Sequence, residues 1–117
     1  MAAVENRTLT IANNGTTSTA FVSAAGLAAY GLQLPAAFTG ASISFEVAAD
    51  ENTFQALYEI ADADAGPPAT TRLVTMAVTQ GRSYDLPVAL VAWPSWRIVS
   101  ASSEGATRSL IVCGKRP

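Results

Sequence analysis

Residues 41–48 alternate strictly, with Ile43, Phe45 and Val47 on one side and Ser42, Ser44 and Glu46 on the other. A two-residue hydrophobic period lets an extended strand bury one face; a helix would scatter the same residues around its axis. The period recurs along most of the 117 residues, broken by short clusters of turn-forming residues. In residues 7–13 it places Leu9 and Ile11 together. Asn14-Gly15 then supplies the dipeptide best suited to a turn with positive φ at both central positions. Residues 16–23 follow with Thr17, Thr19 and Phe21 in phase, so this opening stretch reads as a hairpin.

The rest of the chain continues in kind. Residues 24–38, rich in Ala, Leu and Gly, suggest a helical turn or wrapped loop that becomes extended at Leu32-Gln33-Leu34-Pro35, because Pro35 disfavours helix at Leu34. Asp50-Glu51-Asn52 is a turn, and residues 54–60 put Phe54, Ala56, Tyr58 and Ile60 on one face as the second arm of a hairpin. Residues 61–70, with Gly66 and paired prolines, form a loop. Val74, Met76 and Val78 share a face of the next strand. Residues 84–92 read as an apolar edge strand limited by Pro87, and residues 93–95 as a bend. Trp96 and Ile98 point inward from residues 96–101. Residues 102–105 turn the chain, and residues 107–113 close the sheet. About eight short strands in one domain spanning residues 1–117 predict an all-β, antiparallel sandwich or barrel.

Composition then removes most chemistry. There is no histidine, one cysteine (Cys113), and 14 % charged residues. Nucleophilic triads lack their imidazole and a zinc site lacks its ligands. No phosphate-binding glycine loop is present. We expect no enzymatic activity and no cofactor. Seven basic residues against nine acidic give a net charge of −2, and the basic ones are scattered, which argues against nucleic acid. No apolar run is long enough to cross a membrane as a helix, and the first residues lack a signal-peptide core. A lone cysteine suits a reducing compartment and a small buried role. Asn6-Arg7-Thr8 and Asn14-Gly15-Thr16 match the glycosylation sequon, and neither is expected to be modified.

Two constellations merit weighing. Asp62 and Asp64, after Glu59, could offer oxygens to calcium, and a solvated acidic loop is the simpler reading; no metal site is expected. Trp93, Trp96, Tyr84 and Tyr30 could stack against a sugar. Trp96 lies in phase with Ile98 and reads as core, which leaves Trp93, in its proline-flanked bend, as the better surface candidate.

Five stretches carry a resemblance: Thr8-Leu9-Thr10-Ile11-Ala12, Gly31-Leu32-Gln33-Leu34-Pro35, residues 41–50, Phe54-Gln55-Ala56-Leu57-Tyr58, and Trp96-Arg97-Ile98-Val99-Ser100 with the apolar strand after it. In this order they resemble the small jelly-roll capsid decoration, or cement, proteins of tailed bacteriophages. The resemblance narrows the fold to a single antiparallel β-sandwich of jelly-roll type and implies a structural virion protein on the capsid exterior, assembled in the host cytoplasm. It would reinforce the shell by binding the major capsid protein as a homo-oligomer, favoured as a trimer. The interface residues expected on that basis are Val4, Arg7, Leu27, Tyr30, Leu32, Trp93 and Pro94. Residues 45–58 also look like the strand–turn–strand of galactose-binding-like sandwiches, which implies a carbohydrate-binding alternative on a phage tail or surface structure.

Overall fold

The computed structural model describes residues 4–22, 27–62 and 70–116. It contains eleven described strands: β1 (Val4–Ile11), β2 (Phe21–Val22), β3 (Ala29–Gln33), β4 (Ser42–Ala48), β5 (Gln55–Ala56), β6 (Tyr58–Asp62), β7 (Thr70–Leu73), β8 (Thr75–Ala77), β9 (Ser83–Asp85), β10 (Ser95–Ser100) and β11 (Arg108–Lys115). One 3-10 helix, Val88–Ala92, precedes β10. Two antiparallel sheets face each other. The first has the order β1-β11-β3-β9. The second runs β2-β10-β4, with β5 and β8 sharing the far side of β4. The chain changes sheet at β1→β2, β2→β3, β3→β4, β8→β9, β9→β10 and β10→β11. That alternation is jelly-roll topology. An extra two-stranded ribbon, β6–β7, is inserted between β5 and β8.

This topology keeps only the tip of the opening hairpin, the Ile11↔Ser18 antiparallel bridge and the Thr19 amide on the Thr10 carbonyl at 2.9 Å. β1 pairs along its whole length with β11, from Val4↔Lys115 to Ile11↔Arg108. Asn14 does adopt a positive φ of 66°, and the Gly15 amide donates to the Ala12 carbonyl at 2.8 Å. The turn, however, serves as a corner between the sheets. Beyond it the chain lies along β10, through the Thr17↔Val99 bridge, the Ser18–Ile98 amide–carbonyl bond of 2.8 Å and the pairing of Phe21 with Trp96. Residues 29–31 also depart from the expected loop, while Leu32 and Gln33 are extended as expected: β3 lies between β11 and β9, with Tyr30, Leu32 and Leu34 buried. Residues 84–92 are not one strand. β9 stops at Asp85, and after Pro87 the chain coils to bury Leu90 completely.

The core fills the space between the sheets. Phe21 stacks on Trp96 with centroids 5.1 Å apart and planes at 17°, while Tyr30 and Phe45 approach Trp96 edge-on at 5.1 and 6.3 Å. Leu9, Ile11, Ile43, Ile98, Leu110 and Val112 close around this cluster, and Val47, Val74 and Val78 are buried as the alternation predicts. Tyr58 and Ile60 are not. The Leu57 amide donates to the Phe45 carbonyl at 2.9 Å, which sets Leu57 opposite a core residue and turns it inward. Its neighbours then face out, leaving Tyr58 59 % and Ile60 61 % exposed and Phe54 half-buried. A strand's phase is all-or-none, so one inward residue fixes the rest.

One end of the sandwich is tied by a buried carboxylate that sequence reading placed in an ordinary turn. Glu104 is fully buried. Its Oε1 accepts from the Thr39 amide at 2.8 Å and Arg108 Nε at 3.0 Å. Its Oε2 accepts from the Gly40 amide and Ser100 Oγ, each at 3.2 Å. Its backbone amide donates to the Gly15 carbonyl, and its carbonyl accepts from Asn14. Gly40 is required for this approach, since a Cβ there would lie 2.3 Å from Ser100 Oγ. Burial alone would raise the Glu104 pKa; the bonds from Thr39, Arg108, Ser100 and Gly40 outweigh it and hold the carboxyl below its ordinary 4.5.

Two expected outcomes follow from the packing. Phe45→Ala removes a fully buried ring and should cost about 3–5 kcal/mol in denaturant unfolding. Glu104→Gln should cost on the order of 3 kcal/mol at neutral pH, because Arg108 loses its buried counter-charge. A carboxyl whose folded pKa is depressed stabilises fully above its unfolded value and loses that contribution as pH falls through the folded one. Thermal melts of the wild type should therefore hold steady down to about pH 4.5 and drop below it. The Glu104→Gln variant should start lower and fall less steeply, with Asp50, held at about 2 chiefly by the Thr53 and Asn52 amides, supplying part of the remaining slope.

Candidate functional site

The polar chemistry of the surface is modest. Among the described residues no three Asp, Glu, Cys or His side chains are grouped to hold a metal. Glu59, the first acid of the proposed calcium set, is bound by Arg72 Nε at 2.6 Å across the β6–β7 ribbon. Asp62 ends β6, and Asp64, with most of its loop, lies outside the described residues. Cys113 is half-buried on β11, on the outer face of the first sheet.

The aromatic residues proposed as a sugar platform do not gather on the surface. Trp96 and Tyr30 belong to the core. Tyr84 is half-buried and packs against that core from β9, its hydroxyl accepting the Thr79 amide at 2.7 Å. Trp93 is half-buried and also packs inward, beside an exposed Pro94. Leu27, Tyr30 and Leu32 correct the expected interface. All three are buried within the subunit: Tyr30 and Leu32 because residues 29–33 form an inner strand rather than a surface loop, and Leu27 because it packs over Gly114 of β11. Arg7 is half-buried at the rim, where its guanidinium lies 4.7 Å from the Phe21 ring centroid, pairs with Glu5 and donates to the Val22 carbonyl. Val4 opens β1 opposite Lys115.

Two surfaces remain with the character of a binding site. The first is an apolar stripe. Phe54, Ala56, Tyr58 and Ile60 share the outward phase set by Leu57. Arg97 lies 4.2 Å over the Phe54 ring and is anchored by Glu46 at 2.7 Å, so one end of the stripe is capped by an ion pair. The other end runs onto the ribbon, where Tyr58 sits opposite Leu73 and Ile60 opposite Thr71, while Glu59 and Arg72 occupy the reverse face. The ribbon is rooted by buried Leu57 and Val74, joined by an amide–carbonyl bond of 2.9 Å. A two-stranded ribbon gains little stability by itself, and its grouped apolar side chains offer surface whose burial against a partner would be favourable. In the sequence the shared phase of Phe54, Ala56, Tyr58 and Ile60 reads as a core face, so this surface carries no sequence signal.

The second is an open groove of about 430 Å³ on the outer face of the first sheet. Gly31 forms a dent in β3, and Gln33, Ser83, Asp85 and Cys113 surround it. Leu32 and Tyr84, whose side chains pack toward the core, complete the lining beside these hydrogen-bonding groups.

Comparison with known proteins places this architecture. No protein-family profile and no curated protein matches the chain. The crystal structure of the SPBc2 prophage-derived protein YomS superposes over 97 % of this chain and 95 % of its own, with a TM-score of 0.54 and 11 % sequence identity. The chain thus shares the overall fold of that protein from end to end.

Proposed function

We propose that this chain is a structural protein of a phage particle, a decoration or cement protein that binds the outside of the head shell. The observation that carries the reading is the apolar stripe ending in exposed Tyr58 and Ile60 on a ribbon outside both sandwich sheets. A jelly roll with a clamped, aromatic core supplies a rigid body, and the inserted ribbon supplies a contact. The end-to-end likeness to a prophage-derived protein and the resemblance to head-gene jelly rolls both support a phage origin. The partner is the major capsid protein of the same particle. Each contact is small, and many copies around a shell, arranged with closed symmetry, sum to a strong bond through multivalency. The reading requires neither cofactor nor catalysis.

The groove over Gly31 favours a second reading, a saccharide-binding sandwich on a tail or surface structure. Its amide, hydroxyl and carboxylate groups suit sugar hydroxyls. A glycan array separates the two: micromolar binding to one sugar, abolished by Gln33→Ala, supports the second reading over the first.

Co-sedimentation with shells lacking the protein tests the first reading. Replacing Tyr58 and Ile60 together by Ser should change unfolding free energy by no more than about 0.5 kcal/mol, as for other surface positions. The same double variant should lose shell binding. Wild-type binding by the folded variant, or particles lacking the protein that keep full resistance to heat and chelator, would contradict the proposal.

A further inference from the structure

β1 is an edge strand, with β11 on one side only. In an antiparallel ladder the N–H and C=O of one residue point to the same side, and successive residues point to opposite sides. Thr10 fixes the parity. Its amide donates to Thr19 Oγ1 at 3.0 Å and its carbonyl accepts from the Thr19 amide at 2.9 Å, both away from β11. Asn6 and Thr8 therefore aim their backbone groups outward too, and among the described residues nothing bonds them there. The crossing segment at residues 18–19 covers the end of β1, and among the described residues no backbone pairs with its first half on that side.

We propose that this open edge pairs with the same edge of a second copy, antiparallel, about a twofold axis passing between the two Asn6 residues. Charge identifies the occupant. Glu5 and Arg7 lie two residues apart on the inward side of β1, ion-paired with each other within the subunit and both partly exposed at the rim, so each keeps a face that a second copy can share. Inward charges on an edge strand guard it against indiscriminate pairing. With the axis at Asn6, Glu5 of each copy stands opposite Arg7 of the other, at the non-hydrogen-bonded positions where side chains approach most closely. One step of register in either direction instead sets Glu5 against Glu5 or Arg7 against Arg7. The charges that reject other registers accept this one.

Backbone parity agrees independently, because Asn6 meets Asn6 and residue 4 meets Thr8 with their outward amides and carbonyls in hydrogen-bonding register. Val22, one of the few exposed aliphatic residues, belongs to the same rim, its carbonyl held by Arg7. Pairing joins two four-stranded sheets into one of eight. The contact is isologous and closes at two copies rather than three. It does not depend on the capsid reading, because it is measured on the isolated chain without shells.

Sedimentation equilibrium provides the test. The wild type should associate to twice the 12.1 kDa chain mass. Asn6→Pro removes an outward donor that the β1–β11 ladder does not use, and Glu5→Lys leaves the backbone untouched. Each should weaken the dimer by roughly tenfold or more while circular dichroism stays unchanged. The swap Glu5→Arg with Arg7→Glu should restore association that Glu5→Lys removes. A wild-type monomer up to the millimolar range, a trimer, a dimer indifferent to both single variants, or a swap that fails to rescue would each overturn the proposal.

Discussion

The Glu104 carboxylate joins parts of the chain that share no strand. Thr39 and Gly40 lead into β4, Ser100 ends β10, Arg108 begins β11, and Asn14 and Gly15 form the corner after β1. The two sheets of a jelly roll are held face to face chiefly by apolar packing, which is strong but weakly directional. At this end direction comes from a charge. An unpaired buried carboxylate would be prohibitive, so the four donors must be in place together. The corner that sends the chain from one sheet to the other is therefore fixed by a residue ninety positions downstream.

The clamp leaves the opposite requirement to the surface. With the interior ordered by Trp96, Phe21, Tyr30 and Phe45 and one end tied by Glu104, the fold does not need the β6–β7 ribbon for its core. The insertion between β5 and β8 can thus carry large apolar groups outward. β5 and β8 each pair with a different half of β4, Glu46–Val47 and Ser42–Ser44, so the ribbon grows from a break in the sheet edge. A rigid body with an apolar projection fits the proposed reinforcing role.

Much of this was legible in the sequence. The alternation in residues 41–48 and 96–101 marks β4 and β10 with the correct inward faces, the spacing of turns points to an all-β sandwich or barrel, and the family resemblance supplies the jelly-roll type. Three features were not legible, for definite reasons. Asn14-Gly15 encodes a turn, and a local signal does not say whether the next strand stays in the sheet or crosses to the other. In residues 54–60 both phases contain apolar side chains, so periodicity chose four residues over one, whereas the bond from Leu57 to Phe45 chose the one. Glu104 looked like any turn acid because its donors come from positions 39, 40, 100 and 108, and two of them are backbone amides without a sequence signature. The proposed interface divided the same way. Arg7 and Pro94 reach the surface, whereas Tyr30 and Leu32 are consumed by the core once residues 29–33 become an inner strand, and Leu27 is buried just before it.

An electron cryo-microscopy map of the phage particle tests the central claim most directly. The account predicts jelly-roll density on the outside of the head shell, with the β6–β7 ribbon against the major capsid protein and Tyr58 and Ile60 in the contact. Density for this protein only on the tail, its absence from the shell exterior, or a subunit seated on the shell with the ribbon in solvent would contradict it.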